Sequence, residues 1–245
     1  MKNQYVGDIG DYTKFGILRK LQKANFSIGI NWYLTEDDGS KDGKYREYLK
    51  SECKTSDGEL FTKLKEINDS GLLSVNTLEK KIIIQNAVYF KDKLQLPEED
   101  YVNSFQYRAA WHAKALSALG KKKIVFLDPD NGLEVPSVNP FLHLSKGNKY
   151  ATYLEAADYY KKGASVIIYQ HKGLFQINEK KKNIERLNRL KQIGKTDPSN
   201  IFCYEADKRY YLFLAQPKDS KMIQGKIDEM IGKDGWKDYL QKFEF

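Results

Sequence analysis

The segment richest in chemistry is Asp128-Pro129-Asp130-Asn131-Gly132, which follows the apolar run Ile124-Val125-Phe126-Leu127. A carboxylate emerging from a buried strand, followed by a proline that fixes φ and removes a donor, aims Asp128 and the next carbonyl into a cleft. Two carboxylates and an amide in four residues exceed what a turn needs, although the same residue types close loops. Gln170-His171-Lys172 stands in the same relation to Val166–Tyr169. A histidine at a strand end serves as a base, a metal ligand or a phosphate donor, or simply as a hydrogen-bonded structural group. Asp128, Asp130, Asn131 and His171 are therefore the candidate catalytic residues. His112 beside Trp111 reads as packing, and nothing recommends His143.

Two further stretches belong with these. Thr35-Glu36-Asp37-Asp38-Gly39 follows the strand-like run Ile28–Leu34. The stretch Tyr5–Lys14 brings Asp8, Asp11 and Lys14 together ahead of a helix, where Asp11 also suits a cap. Lys180, Lys181, Lys182, Arg186, Arg189 and Lys191 form a basic stretch that could follow phosphates or merely face solvent.

These residues need a scaffold that gathers strand ends. Helical spacing of Phe15, Ile17, Leu18 and Leu21 predicts a helix from Ile9 to Ala24, ahead of a buried strand at Ile28–Leu34. Residues 44–70 read as a helical insertion, and Leu72–Val75 and Lys81–Ile84 as short strands. A helix over Tyr107–Leu119 ends at Gly120 and leads to the strand at Ile124–Leu127. Helices over Lys149–Lys162 and Ile177–Ile193 flank a strand over Ala164–His171. Strands at Ile201–Glu205 and Tyr210–Gln216, joined across Ala206-Asp207-Lys208-Arg209, precede a helix over Ser220–Ile231. Strands alternating with helices predict a single α/β domain over residues 1–245: an open, mostly parallel, doubly wound sheet closed by an antiparallel hairpin. In such a sheet ligands bind beyond the C-terminal ends of the strands.

Composition narrows the function classes. With 245 residues, 41% of them hydrophobic and 30% charged, the chain can build a core and is not disordered. No apolar run approaches the ~20 residues of a membrane span, and the first residues carry no apolar leader, so neither a membrane nor a secreted protein is expected. Cys53 and Cys203 are the only cysteines and are far apart, which leaves no disulfide framework or zinc cluster and makes a reducing cytoplasm the expected setting. The net charge of +8 favours an anionic partner such as RNA or DNA.

The order of parts resembles a class I S-adenosylmethionine-dependent methyltransferase, and in particular the adenine-N6 methyltransferases of ribosomal RNA or DNA. In that family a strand ends in Asp/Asn-Pro-Pro-Tyr/Phe, which grips the amino group of a flipped-out base; here it reads Asp128-Pro129-Asp130-Asn131. Val6-Gly7-Asp8-Ile9-Gly10-Asp11-Tyr12-Thr13-Lys14 is similar to the Ala-Gly-Asn-x-x-Asp-x-x-Lys segment of one ribosomal-RNA branch. The resemblance implies that Thr35–Gly39 lie against S-adenosylmethionine, and that Asp8, Asp11, Lys14, Lys172, Lys181 and Arg186 contact nucleic acid. The sequence departs from the family in the cofactor loop, where Asp/Glu-x-Gly-x-Gly is replaced by a stretch with the single glycine Gly39, and at Asn131, where the aromatic is missing.

Two other uses fit the same residues. A divalent-metal nuclease would place Mg²⁺ or Mn²⁺ on Asp128 and Asp130, with Gln170 and Lys172 on one strand face and Lys172 stabilising the charge that develops at phosphorus. A non-catalytic nucleic-acid-binding module would account for the missing glycines. The oligomeric state is not legible.

Overall fold

The structure is a computed structural model that describes residues 1–39, 45–50, 56–81, 83–94, 103–140, 144–173 and 178–244. Cys53, His143 and Ile177 lie outside them, as does the first residue of the expected helical insertion.

A helix, α1 (Ile9–Lys23), capped by the Asp8 side chain rather than by Asp11, precedes β1 (Ile28–Asn31). The chain then passes through a 3-10 turn at Glu47–Lys50, α2 (Gly58–Ser70) and α3 (Val75–Lys80) to β2 (Val88–Phe90). The strand expected at Leu72–Val75 does not form, nor does one at Lys81–Ile84 among the described residues. Ser74 accepts from the Thr77 backbone N–H and starts a helix, on which Val75 and Leu78 lie at helical spacing and are buried. Next come α4 (Ser104–Leu119), β3 (Ile124–Leu127), β4 (Gly132–Leu133), α5 (Leu144–Gly147) and β5 (Tyr150–Ala151). The second half holds α6 (Tyr153–Lys161), β6 (Ser165–His171), α7 (Glu179–Gly194), β7 (Ile201–Ala206), β8 (Arg209–Leu214), α8 (Pro217–Lys233) and β9 (Gln241–Lys242). The α6 helix starts four residues later than its pattern suggested because Thr152 and Glu155 form a capping box. The α8 helix starts earlier because Pro217 occupies its first turn.

The protein is α/β. Its seven-stranded sheet has the order β2-β1-β3-β6-β8-β7-β9. Strands β2, β1, β3 and β6 are parallel neighbours, while β8 pairs antiparallel with both β6 and β7, and β9 antiparallel with β7. The apolar side chains form two buried clusters. One gathers α1, α2, α3 and α8 against Ile28, Ile30, Phe126, Ile167, Tyr211 and Phe213. The other gathers α4, α6 and α7 against Val125, Leu127, Val166, Ile168 and Leu212. Alternate residues of one strand thus enter different clusters, as the two-residue period of a strand requires.

The chain leaves β1 along the α2–α3 side to form β2, then returns over the other side through α4 to β3. The winding therefore reverses between β1 and β3, and the crevice beyond their C-terminal ends is the switch point at which open α/β sheets hold ligands. No helix among the described residues is long and apolar enough to cross a membrane.

Candidate functional site

The crevice between β1 and β3 is lined by backbone carbonyls and one carboxylate. Beyond Asn31, the Tyr33 N–H donates to Asn31 Oδ1 at 3.2 Å and Tyr33 takes φ 45°, an uncommon conformation for a bulky residue. This turn presents the Tyr33 carbonyl to the crevice. The Met1 ammonium donates to Tyr33 O at 3.1 Å and to Asp128 O at 3.0 Å, and pairs with Asp130 Oδ1 at 2.6 Å. Thr35, buried, donates from Oγ1 to Asp130 Oδ2 at 3.0 Å and from its N–H to Met1 O.

The rest of the expected cofactor loop is held from outside the crevice. Glu36 pairs with Lys93, Asp37 accepts from the Gln4 N–H, and Asp38 pairs with Lys2 and accepts from Gln4 Nε2. Gly39 has φ 69°, and among the described residues nothing beyond its chain neighbours lies within 4 Å of where a Cβ would stand. Of the five, only Thr35 lines the crevice.

On the α1 side of the sheet lies a buried row of charge. Lys14 Nζ stands 2.7 Å from both Asp128 Oδ2 and Asp11 Oδ1 and over the Trp32 ring at 5.2 Å. Asp11 also accepts from the Gly7 N–H, and Asp8 from the Asp11 N–H. Burial works against the Lys14 cation, but the two carboxylates outweigh it and hold its pKa above the usual lysine value. One cation cannot neutralise two buried carboxylates, and burial pushes the Asp128 carboxyl upward despite Lys14. Asp8 is pushed up to about 6, by burial first, against the pull of Arg209. Asp8, Asp11 and Lys14 stand together as the sequence suggested, and Asp128 joins them from the end of β3.

The turn after Asp130 is fastened by Gln170. Its Oε1 accepts from the Leu133 N–H at 2.9 Å, and its Nε2 donates to the carbonyls of Asn131 and His171 at 3.0 and 2.9 Å. Gly132 at φ 109° makes this possible, because a Cβ there would stand 2.3 Å from the Gln170 amide. Gln170 is a clamp, with its polar atoms spent on backbone. Asn131 is half-buried at the turn.

Strand alternation separates the expected nuclease set. Gln170 and Lys172 share the side of Val166 and Ile168, whereas Asp128 follows Ile124 and Phe126 on the α1 side. Lys172 donates to Glu205 Oε1 at 2.6 Å and to Asp207 O at 2.7 Å instead of approaching Asp128. Among the described residues no group of three or more His, Cys, Asp or Glu side chains is placed to hold a metal ion. The sheet therefore puts Gln170 and Lys172 on the side away from Asp128. His171 follows Ile167 and Tyr169 on the α1 side, with its N–H on Asn131 O at 3.3 Å.

Of the basic candidates, Lys181 is exposed near the start of α7, and Arg186 reaches the buried Glu179 at 3.4 Å. His112 packs its ring edge-on against Tyr159 and meets Asp158.

Three buried arginines escaped the sequence reading, the first of them Arg19 on α1, which pairs with Asp57 and Glu59. Arg108 lies within α4, and Arg209 opens β8 in a segment read as a connecting turn. The available signal was alternation: Arg209, Tyr211 and Phe213 share one face of a strand with Arg209 at the site edge. Neither a protein-family model nor a curated protein matches the chain.

Proposed function

We propose that the chain is a nucleic-acid-modifying enzyme on a Rossmann-like, methyltransferase-type sheet, transferring a methyl group from S-adenosylmethionine to the amino group of a base. The observation that carries this reading is the acceptor set at the switch point. Tyr33 O, Asp128 O and the Asp130 carboxylate converge on a primary ammonium at 3.1, 3.0 and 2.6 Å. That set suits the α-ammonium of the amino-acid end of S-adenosylmethionine, which would take the place the Met1 ammonium holds. When bound, the cofactor supplies an electrophilic methyl group. The protein's own residues bind and orient: Thr35 fixes the Asp130 carboxylate, Lys14 and Asp11 fix Asp128, and Asn131 offers an amide to the base at the same turn.

The antiparallel β8 between β6 and β7 agrees with the closing strand pair of that class. Charge at the same edge supports a nucleic-acid partner. Lys180 and Lys181 are exposed in the first turn of α7, and Lys208 lies in the β7–β8 turn with its Nζ 3.7 Å from the Tyr45 ring centroid. The β6 strand and β7 both end at that edge.

Calorimetric titration with S-adenosylmethionine tests the reading. Saturable binding is expected, weakened roughly 10- to 100-fold in Asp130→Ala, the loss that follows from removing one charged hydrogen-bond partner. Absence of heat with the folded protein would remove the methyl-transfer reading. Retention of RNA or DNA in the same preparation would then point to a binding module.

A further inference from the structure

We propose that Arg209 is the receptor for a phosphate oxyanion, forming a second subsite on the α1 side of the sheet, whether or not methyl transfer is the reaction. Arg209 is only 4% exposed, yet its Nε has no hydrogen-bond partner, and among the described residues no carboxylate stands within ion-pairing distance of its guanidinium. A guanidinium carries five donors, and enclosing a charged donor without an acceptor is among the costliest arrangements in a protein interior. The surroundings supply charge balance from a distance and no acceptor. Asp8 and Asp11 lower the energy of the cation through space, and the Tyr169 ring centre lies 6.0 Å from its central carbon.

The backbone is shaped around this side chain. A Cβ on Gly10 would stand 2.3 Å from Arg209 Nη1 and 2.9 Å from Cζ, so the guanidinium lies against the first turn of α1, where any larger residue at position 10 would displace it. That turn belongs to a 15-residue helix whose N-terminal end carries partial positive charge. Arg209 opens β8 at the end of the sheet where β6 finishes. Asp8, Tyr169 and His171 are half-buried there, and His171 is directly opposite Arg209 in the β6–β8 ladder. A planar fork beside a helix N-terminus suits the paired oxygens of a phosphate.

The groups facing Arg209 are Asp8, Asp11, Lys14, Tyr169, Tyr211 and His171. Among the acids, Asp8 is the one to yield. With its pKa already near 6, it takes up a proton as an anion arrives, so binding is expected to tighten as pH falls through 6.

The experiment titrates the full-length protein with inorganic phosphate, with adenosine monophosphate and with a short single-stranded oligonucleotide. Arg Nε–H resonances are followed by ¹⁵N NMR, and Arg209 is assigned by its loss in Arg209→Lys. Expected are movement of the Arg209 Nε–H signal on phosphate addition and at least about tenfold weaker binding in Arg209→Met. Lys226→Met, an exposed cation on α8, should leave binding unchanged. A loss confined to the oligonucleotide identifies a backbone phosphodiester as the ligand; a loss that includes adenosine monophosphate identifies a free nucleotide. The proposal is overturned if no probe moves the Arg209 signal in the unaltered protein, or if folded Arg209→Met binds every probe as tightly. Should Arg209→Met fail to fold, the signal in the unaltered protein alone decides.

Discussion

Arg108 and Arg209 are both buried, on opposite sides of one sheet, and their surroundings could hardly differ more. Arg108 donates from Nε to Glu155 Oε1 at 2.7 Å, from Nη2 to Glu155 Oε2 at 2.9 Å and to Tyr150 O at 2.7 Å, and from Nη1 to Gly147 O at 3.1 Å. Glu155 also accepts from Tyr33 and from the Thr152 N–H, so cation and anion are both saturated. Burial and the Arg108 charge oppose each other at Glu155, and the charge prevails, holding its carboxyl below the usual range. Arg209 has the same burial and none of these partners. A filled network builds the fold, whereas an unfilled donor at a strand edge is where a ligand has work to do.

Removing each cation in turn gives the largest expected difference between the two sites. Arg108→Met strands the Glu155 carboxylate and should cost about 3–5 kcal/mol in urea unfolding, while Arg209→Met, which strands no directly paired carboxylate, should cost about 1 kcal/mol or less. Equal losses would erase the distinction. Lys14→Met comes next: it leaves Asp11 and Asp128 buried without their shared cation, a loss of about 3 kcal/mol at neutral pH that shrinks as acid protonates them. Gln170→Ala removes the acceptor of the Leu133 N–H and should cost about 1–3 kcal/mol, read by thermal unfolding. The effect most confined in pH is at Asp8. Its folded pKa, about 6, exceeds the unfolded value of 3.8, so its contribution is present in full below pH 4 and is lost as pH rises through 6. Asp8→Asn keeps the helix cap and should flatten stability against pH in that window alone, read by urea unfolding at pH 4, 6 and 8.

Much of this arrangement was legible because it rests on strand periodicity and strand-end polarity. The runs at Ile28, Ile124, Ser165 and Ile201 are apolar, short and bounded by turn residues, and each became a strand. The region from Leu72 to Phe90 was not legible, since a six-residue helix and a three-residue strand are too short to show their periods. At the site, Asp128, Asp11 and Lys14 were found because charged residues beside apolar runs stand out. Which face each occupies required the register, and that is why Gln170 and Lys172 were grouped with a carboxylate across the sheet. Arg209 was hidden by its neighbours in sequence, as Asp207-Lys208-Arg209 reads as a charged turn until the ladder shows that β8 begins at its last residue.

The pairing of Thr13 Oγ1 with the Tyr211 hydroxyl at 2.6 Å joins residues 198 positions apart. Tyr211 and Arg209, which close over the polar start of α1, both come from β8, which is synthesised when most of the chain has already emerged. During translation the early helix and the parallel strands can associate, but the contacts of Thr13 with Tyr211 and of Gly10 with Arg209 form only when β8 slots between β6 and β7. Completion of the site is therefore a late, long-range event in folding, governed by the closure of a loop nearly as long as the protein.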